Sequence, residues 1–123
     1  MVTGEVADVR GWLAAASVVV APLKLARGIQ NKVLEAMAME RPVVASRAAA
    51  EGIDHAGTIR VGETVGEIAE EVMAVLDNAS AAAAMGREAR ARVKARYSWE
   101  ACLAPLDALL GISIKAPPRR TAA

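Results

Sequence analysis

Residues 17–46 read SVVVAPLKLARGIQNKVLEAMAMERPVVAS. The two ends of this segment, residues 17–22 and 42–46, are apolar runs rich in valine, which predicts two buried strands. Between them, residues 27–39 contain a glycine followed by apolar residues at helical spacing. A strand, a glycine loop, a helix and a second strand form a βαβ unit, so we expect the two strands to be parallel.

The helix predicted between the strands has an apolar face and a polar face. The residues expected to pack against the sheet are Ile29, Val33, Ala36 and Met37. The polar face consists of Asn31, Lys32 and Glu35, in which Asn31 and Glu35 lie one turn apart and Lys32 and Glu35 lie three residues apart. The helix is therefore expected to present its apolar side chains to the sheet and three polar side chains to its surroundings.

The loop before this helix has the features of an anion site. In open parallel sheets, ligands bind beyond the carboxyl ends of the strands and beside helix N-termini. Gly28 lies at that point, and a residue without Cβ lets backbone N–H groups approach a ligand. Helix N-termini attract anions, and Arg27 and Lys32 add positive charge. The pattern predicts a phosphate cradle, with Glu35 deeper in the helix to accept hydrogen bonds from hydroxyl groups.

A purely structural interpretation of the same residues stays open. Glycine before a helix is common, and Lys32 with Glu35 can be a solvated surface pair that contributes under about 1 kcal/mol. The loop has neither the Walker A spacing nor the three-glycine dinucleotide fingerprint.

Composition limits the class of protein. With 54% hydrophobic and 24% charged residues, the chain is expected to fold as one globular domain. A net charge of +1 gives no electrostatic reason to expect nucleic acid as a partner. One cysteine and one histidine exclude an internal disulfide and a cysteine or histidine metal cluster, so we predict no metal and no cofactor. Without a signal peptide or an apolar run of about 20 residues, we expect a cytoplasmic protein.

The segments on either side of the βαβ unit predict further elements. Residues 2–6 are interpreted as a short strand, followed by a helix that Asp8 caps and that carries Trp12. Trp12 is expected to pack under the next strand, although a partner surface is the alternative. Residues 58–61 predict a third strand.

Three C-terminal helices are predicted from periodicity. The first is amphipathic, and its apolar residues are Val65, Ile68, Ala69, Val72, Met73 and Leu76. The second, residues 81–96, is expected to have Ser80 as its cap and Ala84, Met85, Ala89 and Val93 on its inner face. The last has Ser98 as its predicted cap, and Pro105 is expected to kink it.

Charge along these helices is segregated. Residues 63–77 carry only acidic charges, whereas residues 87–96 are basic apart from Glu88. We interpret both as solvated helix faces, and the alternative for the basic helix is contact with an anionic membrane surface. The single histidine, His55, is expected to have a solvated or helix-end role rather than a catalytic one.

Residues 21–46 resemble the donor-binding signature of GT-B glycosyltransferases of the retaining family-4 type, closest to the branch associated with exopolysaccharide and exosortase gene systems. That signature has two glutamates separated by seven residues, then Ala-Met-Ala, a short turn and Pro-Val-Val-Ala. The second glutamate falls on Glu35, for which the resemblance implies binding of ribose hydroxyls. The first falls on Arg27, which departs from the pattern. An arginine cannot accept hydrogen bonds from sugar hydroxyls, but it can clamp a diphosphate.

The resemblance implies a fold and a function. The expected fold is α/β, a partial Rossmann-like parallel sheet with C-terminal helices, over residues 1–110, with 111–123 as a disordered basic tail. The implied substrate is a nucleoside diphosphate sugar, and the implied donor-binding residues are Arg27, Gly28, Ile29, Asn31, Lys32 and Glu35. No catalytic residue is assigned. The N-terminal acceptor-binding half of the family is missing from the match, so we expect a fragment without activity alone.

Two other interpretations remain. A non-catalytic α/β module would self-associate, because a truncated parallel sheet exposes an edge strand, and we therefore expect a homo-oligomer. A GT-B-shaped sugar-nucleotide epimerase needs catalytic carboxylates and a histidine that the sequence does not place. Trp99 would help to lock two domains together in the family arrangement, and ordinary core packing is its alternative.

Overall fold

The computed structural model describes residues 2–111. The helices are α1 (Arg10–Ala15), α2 (Asn31–Ala38), α3 (Arg47–Ala50), α4 (Val65–Asp77), α5 (Ala79–Tyr97) and α6 (Trp99–Leu110), and the strands are β1 (Val19–Ala21), β2 (Val43–Ser46) and β3 (Arg60–Gly62). The predicted domain of residues 1–110 and the predicted tail of residues 111–123 stay predictions, because residues 112–123 lie outside the described residues.

The three strands form one parallel sheet in the order β1-β2-β3. Val20 pairs with Val44, and Val44 pairs with Arg60. The βαβ unit is confirmed, and so is the prediction of an α/β fold with a parallel sheet and C-terminal helices.

The side chains of β2 point alternately to the two faces of the sheet, and each face has its own core. Val43 and Ala45 pack with the buried residues of α2, which are Val33, Ala36 and Met37. Val44 packs on the other side with Val75 of α4 and Ala82 of α5. Helix α5 contributes to both cores, since its Ala89 lies in the first. The result is a sheet with helices on both faces.

Helix α2 ends in a Schellman motif. The N–H of Arg41 donates to the carbonyl of Ala36 at 3.0 Å, and the N–H of Glu40 donates to that of Met37 at 3.1 Å. Glu40 is left-handed, with φ 57°, where glycine is usual. Arg90 of α5 donates from its guanidinium to the carbonyl of Ala38 at 3.2 Å and lies 3.6 Å from a Glu40 carboxylate oxygen. Helix α5 thus fastens the end of α2.

Three predictions about a strand and two helix caps were wrong. Residues 2–6 form no strand, because no described strand lies beside β1 to pair with them, and Val2 is 97% exposed. Helix α5 is capped by Asn78 rather than Ser80, because the Asn78 side chain accepts a hydrogen bond from the N–H of Ala81 at 3.0 Å. Asp8 is not the cap residue of α1, although its carboxylate accepts from the N–H of Arg10 at 2.9 Å.

Apolar side chains are more exposed than the periodicity suggested. In α4 only one stripe packs inward, around Val75, and Met73 is 56% exposed because no described element covers the flank of this helix. Trp12 is half exposed and Trp99 is 79% exposed, so neither has the core position considered for it. The cap of α6 by Ser98 is confirmed, and the helix continues through Pro105.

Candidate functional site

All three strands end at the same edge of the sheet, because they are parallel. From this carboxyl edge, residues 22–30 connect β1 to α2, β2 runs directly into α3, and a two-residue turn connects β3 to α4. The loop of residues 22–30 carries Arg27 and Gly28 and delivers the chain to the first turn of α2. The edge therefore holds the residues that the sequence predicted as a site.

Gly28 is required by its backbone conformation. Its φ is +67°, a left-handed value that strains most other residues, and a Cβ at this position would meet nothing within 4 Å. The space beside the loop is open, so the close approach of a ligand is sterically allowed there.

The first turn of α2 has no side-chain cap. Gln30, its cap residue, turns its amide away from the helix and donates to the carbonyls of Arg27 at 3.3 Å and Gly28 at 3.4 Å. In contrast, a side-chain oxygen accepts a hydrogen bond from the first turn of α3, α4, α5 and α6. The N–H of Val33 donates to the carbonyl of Gln30 at 3.0 Å. The N–H groups of Asn31 and Lys32 make no hydrogen bond among the described residues, and they lie at the positive end of the helix dipole.

The charged side chains around this turn are exposed and make no ion pairs within the described residues. Arg27, Asn31, Lys32 and Glu35 are all exposed, and neither cation nor Glu35 makes an ion pair with another residue among 2–111. The alternative of a surface pair between Lys32 and Glu35 is therefore not realised. Ile29 does not belong to the apolar face as predicted. It precedes the helix, and its side chain is 50% exposed.

Sequence reasoning missed two polar features of this edge. Ser46, at the end of β2, is buried and hydrogen bonds to the carbonyl of Leu23 in the loop. Arg47 forms an ion pair with Glu63 beyond the end of β3. The sequence signal for the buried Ser46 was an apolar run that ends in serine, residues 43–46.

The turn between β3 and α4 is held by a capping box. The Thr64 hydroxyl accepts from the N–H of Glu67, whose carboxylate accepts from the backbone N–H groups of Glu63 and Thr64. Those two N–H groups, that of Glu63 first, hold the pKa of the Glu67 carboxyl below its usual range.

Asp54 fastens the loop after α3 to the C-terminal half of α5. Its carboxylate pairs with Arg92 and, at 2.7 Å, with Arg96, and its N–H donates to the Tyr97 hydroxyl at 2.7 Å. The hydrogen bond from Arg92 is the main reason that the pKa of Asp54 lies below its usual range. The adjacent His55 accepts from the N–H of Gly57 at 3.1 Å through Nδ1 and is half-buried. His55 is therefore less solvated than expected, and its non-catalytic role stays a prediction.

These contacts change the interpretation of the basic helix. Arg90, Arg92 and Arg96 bind groups of the same chain, so they are not simply solvated. Arg87 and Lys94 remain exposed and make no ion pair within the described chain.

Two clefts lie away from Gly28. One, of about 330 Å³, opens at the amino ends of the strands between Pro42, Leu76 and Arg87. Another, of about 370 Å³, lies beside β3 and is lined by Arg47, Ala50, Glu51, His55 and Val61. Neither contains any of the six predicted donor-binding residues. Residues 2–111 also contain no group of three His, Cys, Asp or Glu placed to hold a metal ion, and none of their helices has the length and hydropathy to cross a membrane.

Comparison with known protein families gives a match. No curated protein and no solved structure matches the chain. The family model described as "Glycosyl transferases group 1" matches residues 1–78, which include the whole sheet, the loop at Gly28 and helices α1 to α4. The match covers more than half of the chain and confirms the resemblance at the level of this family. The chain belongs to the glycosyl transferases group 1 family.

Proposed function

We propose that this chain binds the nucleoside diphosphate part of a nucleotide sugar, as the donor site of a retaining, family-4-type glycosyltransferase in exopolysaccharide or other glycan biosynthesis. The observation that carries the proposal is the uncapped first turn of α2, which follows Gly28 at the carboxyl edge of the sheet. Membership of the family makes a nucleotide sugar the substrate class to expect.

The phosphate end of the ligand would lie at the start of α2. There the free N–H groups of the first turn and the dipole favour an anion, and Arg27 and Lys32 are exposed without an internal carboxylate partner. When a glycosyl bond to a diphosphate breaks, negative charge develops on the departing phosphate. Donors that are already in position stabilise this charge more than mobile water does. Arg27 would provide two parallel N–H donors to one phosphate.

The ribose end would lie one turn further along α2. Glu35 is one turn after Asn31, a rise of about 6 Å along the helix axis, and its carboxylate is exposed. A carboxylate accepts hydrogen bonds from two vicinal hydroxyls, which a ribose offers. One nucleoside diphosphate can therefore engage both ends of this helical surface.

Turnover, unlike nucleotide binding, needs further protein surface beside β1. In doubly wound sheets the ligand crevice lies where the strand order reverses. The described sheet runs β1-β2-β3 without a reversal, and no described strand covers the free edge of β1. We propose that an acceptor-binding half completes the crevice there, and that the chain alone does not turn over substrate.

Calorimetric titration of the purified chain with UDP and GDP at low salt tests the proposal. One of the two should bind, and Glu35→Ala and Arg27→Ala should each weaken binding about tenfold or more, as expected for a lost hydrogen bond to a charged group. The matched controls are Glu88→Ala and Arg87→Ala, which remove an exposed acid and an exposed base from α5. Absence of binding at millimolar nucleotide, or equal losses in the control variants, would overturn the proposal.

Exposed apolar surface favours the second candidate, a self-associating module. Both outer strands of the described sheet have a free edge, and α6 exposes Trp99, Leu103 and Leu106. Such surfaces bind other protein, so a homo-oligomer remains our proposal.

A peripheral membrane contact through Arg87 and Lys94 has weaker support, because the other arginines nearby make contacts within the chain. The free thiol of Cys102 suits the reducing cytoplasm that we propose as its location.

A further inference from the structure

Ser46 is the one buried polar side chain among the described residues, with 8% of its surface exposed. Its hydroxyl donates a hydrogen bond to the carbonyl oxygen of Leu23 at 2.7 Å and accepts one from the N–H of Ala49 at 3.2 Å. A hydroxyl has a single proton, so the bond to Leu23 uses its whole donor capacity.

The two bonds of Ser46 differ in what they join. The bond to Ala49 is local and caps α3, a helix of four residues. The bond to Leu23 spans 23 residues and connects the carboxyl end of β2 to the loop after β1. The pairing of β1 with β2 stops at Ala21 and Ala45, so the Ser46 hydroxyl continues the contact one residue beyond the β1–β2 ladder.

Leu23 lies in the loop that leads to Arg27 and Gly28. Residues 22–30 contain no helix or strand of their own, and the charged side chains of the loop make no ion pair with another described residue. A loop of this length without internal ladders keeps one conformation only where the surrounding protein holds it. The Ser46 hydroxyl is such a tie, and it is shielded from water.

We propose that Ser46 is a positioning residue of the nucleotide site: its hydroxyl holds the loop of residues 22–30 so that Arg27 and the first turn of α2 face one ligand. This inference rests on the proposed function for the identity of the ligand. It assigns a role beyond the capping of α3, because a cap alone would not affect a loop attached to another strand.

Two measurements on the full chain test the proposal, using Ser46→Ala, Ser46→Thr and, as a matched control, Ser98→Ala. The control removes a serine cap of the same geometry, in which the side chain accepts from the N–H of Ala101 at 3.1 Å. The first measurement is amide hydrogen exchange over residues 22–30 in the free protein. The second is the affinity for the nucleotide, UDP or GDP, that the wild-type chain binds.

We expect Ser46→Ala to speed exchange in the loop and to weaken nucleotide binding, each by about five- to tenfold, the effect of one net hydrogen bond. Ser46→Thr, which keeps the hydroxyl, should restore both, and Ser98→Ala should change neither. If Ser46→Ala does not fold, Ser46→Cys keeps a side chain of the same shape with a weaker donor, and it should change loop exchange and nucleotide affinity in the same direction but by less.

The outcomes separate this inference from the proposed function. Unchanged loop exchange in Ser46→Ala, or faster exchange with unchanged affinity, overturns the positioning role. If the wild-type chain binds neither nucleotide, the proposed function fails and this role fails with it, while the exchange data still decide whether the hydroxyl holds the loop.

Discussion

Gly86 of α5 lies directly against the backbone of Glu40, the left-handed residue just after α2. A Cβ placed on Gly86 would overlap the carbonyl oxygen of Glu40 and lie 2.8 Å from its carbonyl carbon. The contact brings the two helices together at the amino edge of the sheet, where Arg90 also reaches the end of α2. The absence of a side chain at position 86 therefore sets how closely α5 packs on α2.

Gly86→Ala should destabilise the protein. In a free helix this change would be favourable by about 1 kcal/mol, but here the added methyl meets backbone that cannot rotate away. We expect a net loss of about 1–3 kcal/mol, the usual cost of overpacking, measured by urea unfolding. Gly66→Ala in α4 is the matched control, since its Cβ would meet only the Thr64 hydroxyl at 3.9 Å, and it should be neutral or stabilising. Equal stability of the two variants would contradict the steric argument.

The contrast between α2 and α5 shows what a sequence can predict. The apolar spacing of Val33, Ala36 and Met37 identified the buried face of α2 correctly, because that face meets a continuous sheet. The tight approach at Gly86 could not be predicted, since the residue opposite it, Glu40, is 46 positions away and only the crossing of the helices brings them together.

Asp54 should make the stability of the fold depend on pH in the acid range. Because Arg92 and Arg96 lower its pKa in the folded state, its contribution is fully present above the unfolded value of about 3.9. It is lost as the pH falls through the lower, folded value. Thermal unfolding between about pH 3 and pH 7 should therefore show a decline at the acid end that Asp54→Asn reduces. Asp77→Asn, which removes an acid without an ion pair among the described residues, should leave the decline intact. If the stability of Asp54→Asn declines at acid pH as steeply as that of the wild-type chain, the result would contradict the pairing of Asp54 with Arg92 and Arg96.

The candidate site was predictable in part for a similar reason. Gly28, Lys32 and Glu35 lie close together in the chain. Lys32 and Glu35 share one turn of α2, Gly28 lies in the loop just before it, and the family match includes all three. Ile29 was assigned to the wrong side because helix α2 begins two residues later than the periodicity suggested. Ser46 was missed because its partner is a backbone carbonyl, which no residue type in the sequence reveals.

Self-association of the chain should depend on α6. Leu103 and Leu106 lie on one side of the helix with Trp99, at spacings of four and three residues, and all three are exposed. Light scattering after size-exclusion chromatography should give a mass that rises with concentration for the wild-type chain. Leu103→Lys and Leu106→Lys should lower this mass toward 12.8 kDa, because a buried lysine would have to lose its hydration.

The choice of control decides whether this effect belongs to α6 or to exposed apolar surface in general. Val65→Lys replaces a side chain that is 83% exposed on α4, more than either leucine, so a non-specific effect would appear there most strongly. If only the α6 variants dissociate, the helix is the contact. If all variants keep a rising mass, the contact lies at the free edge strands, because side-chain charge on α6 does not alter the backbone groups that these strands expose. A wild-type mass of one chain across the whole range would reject the homo-oligomer itself.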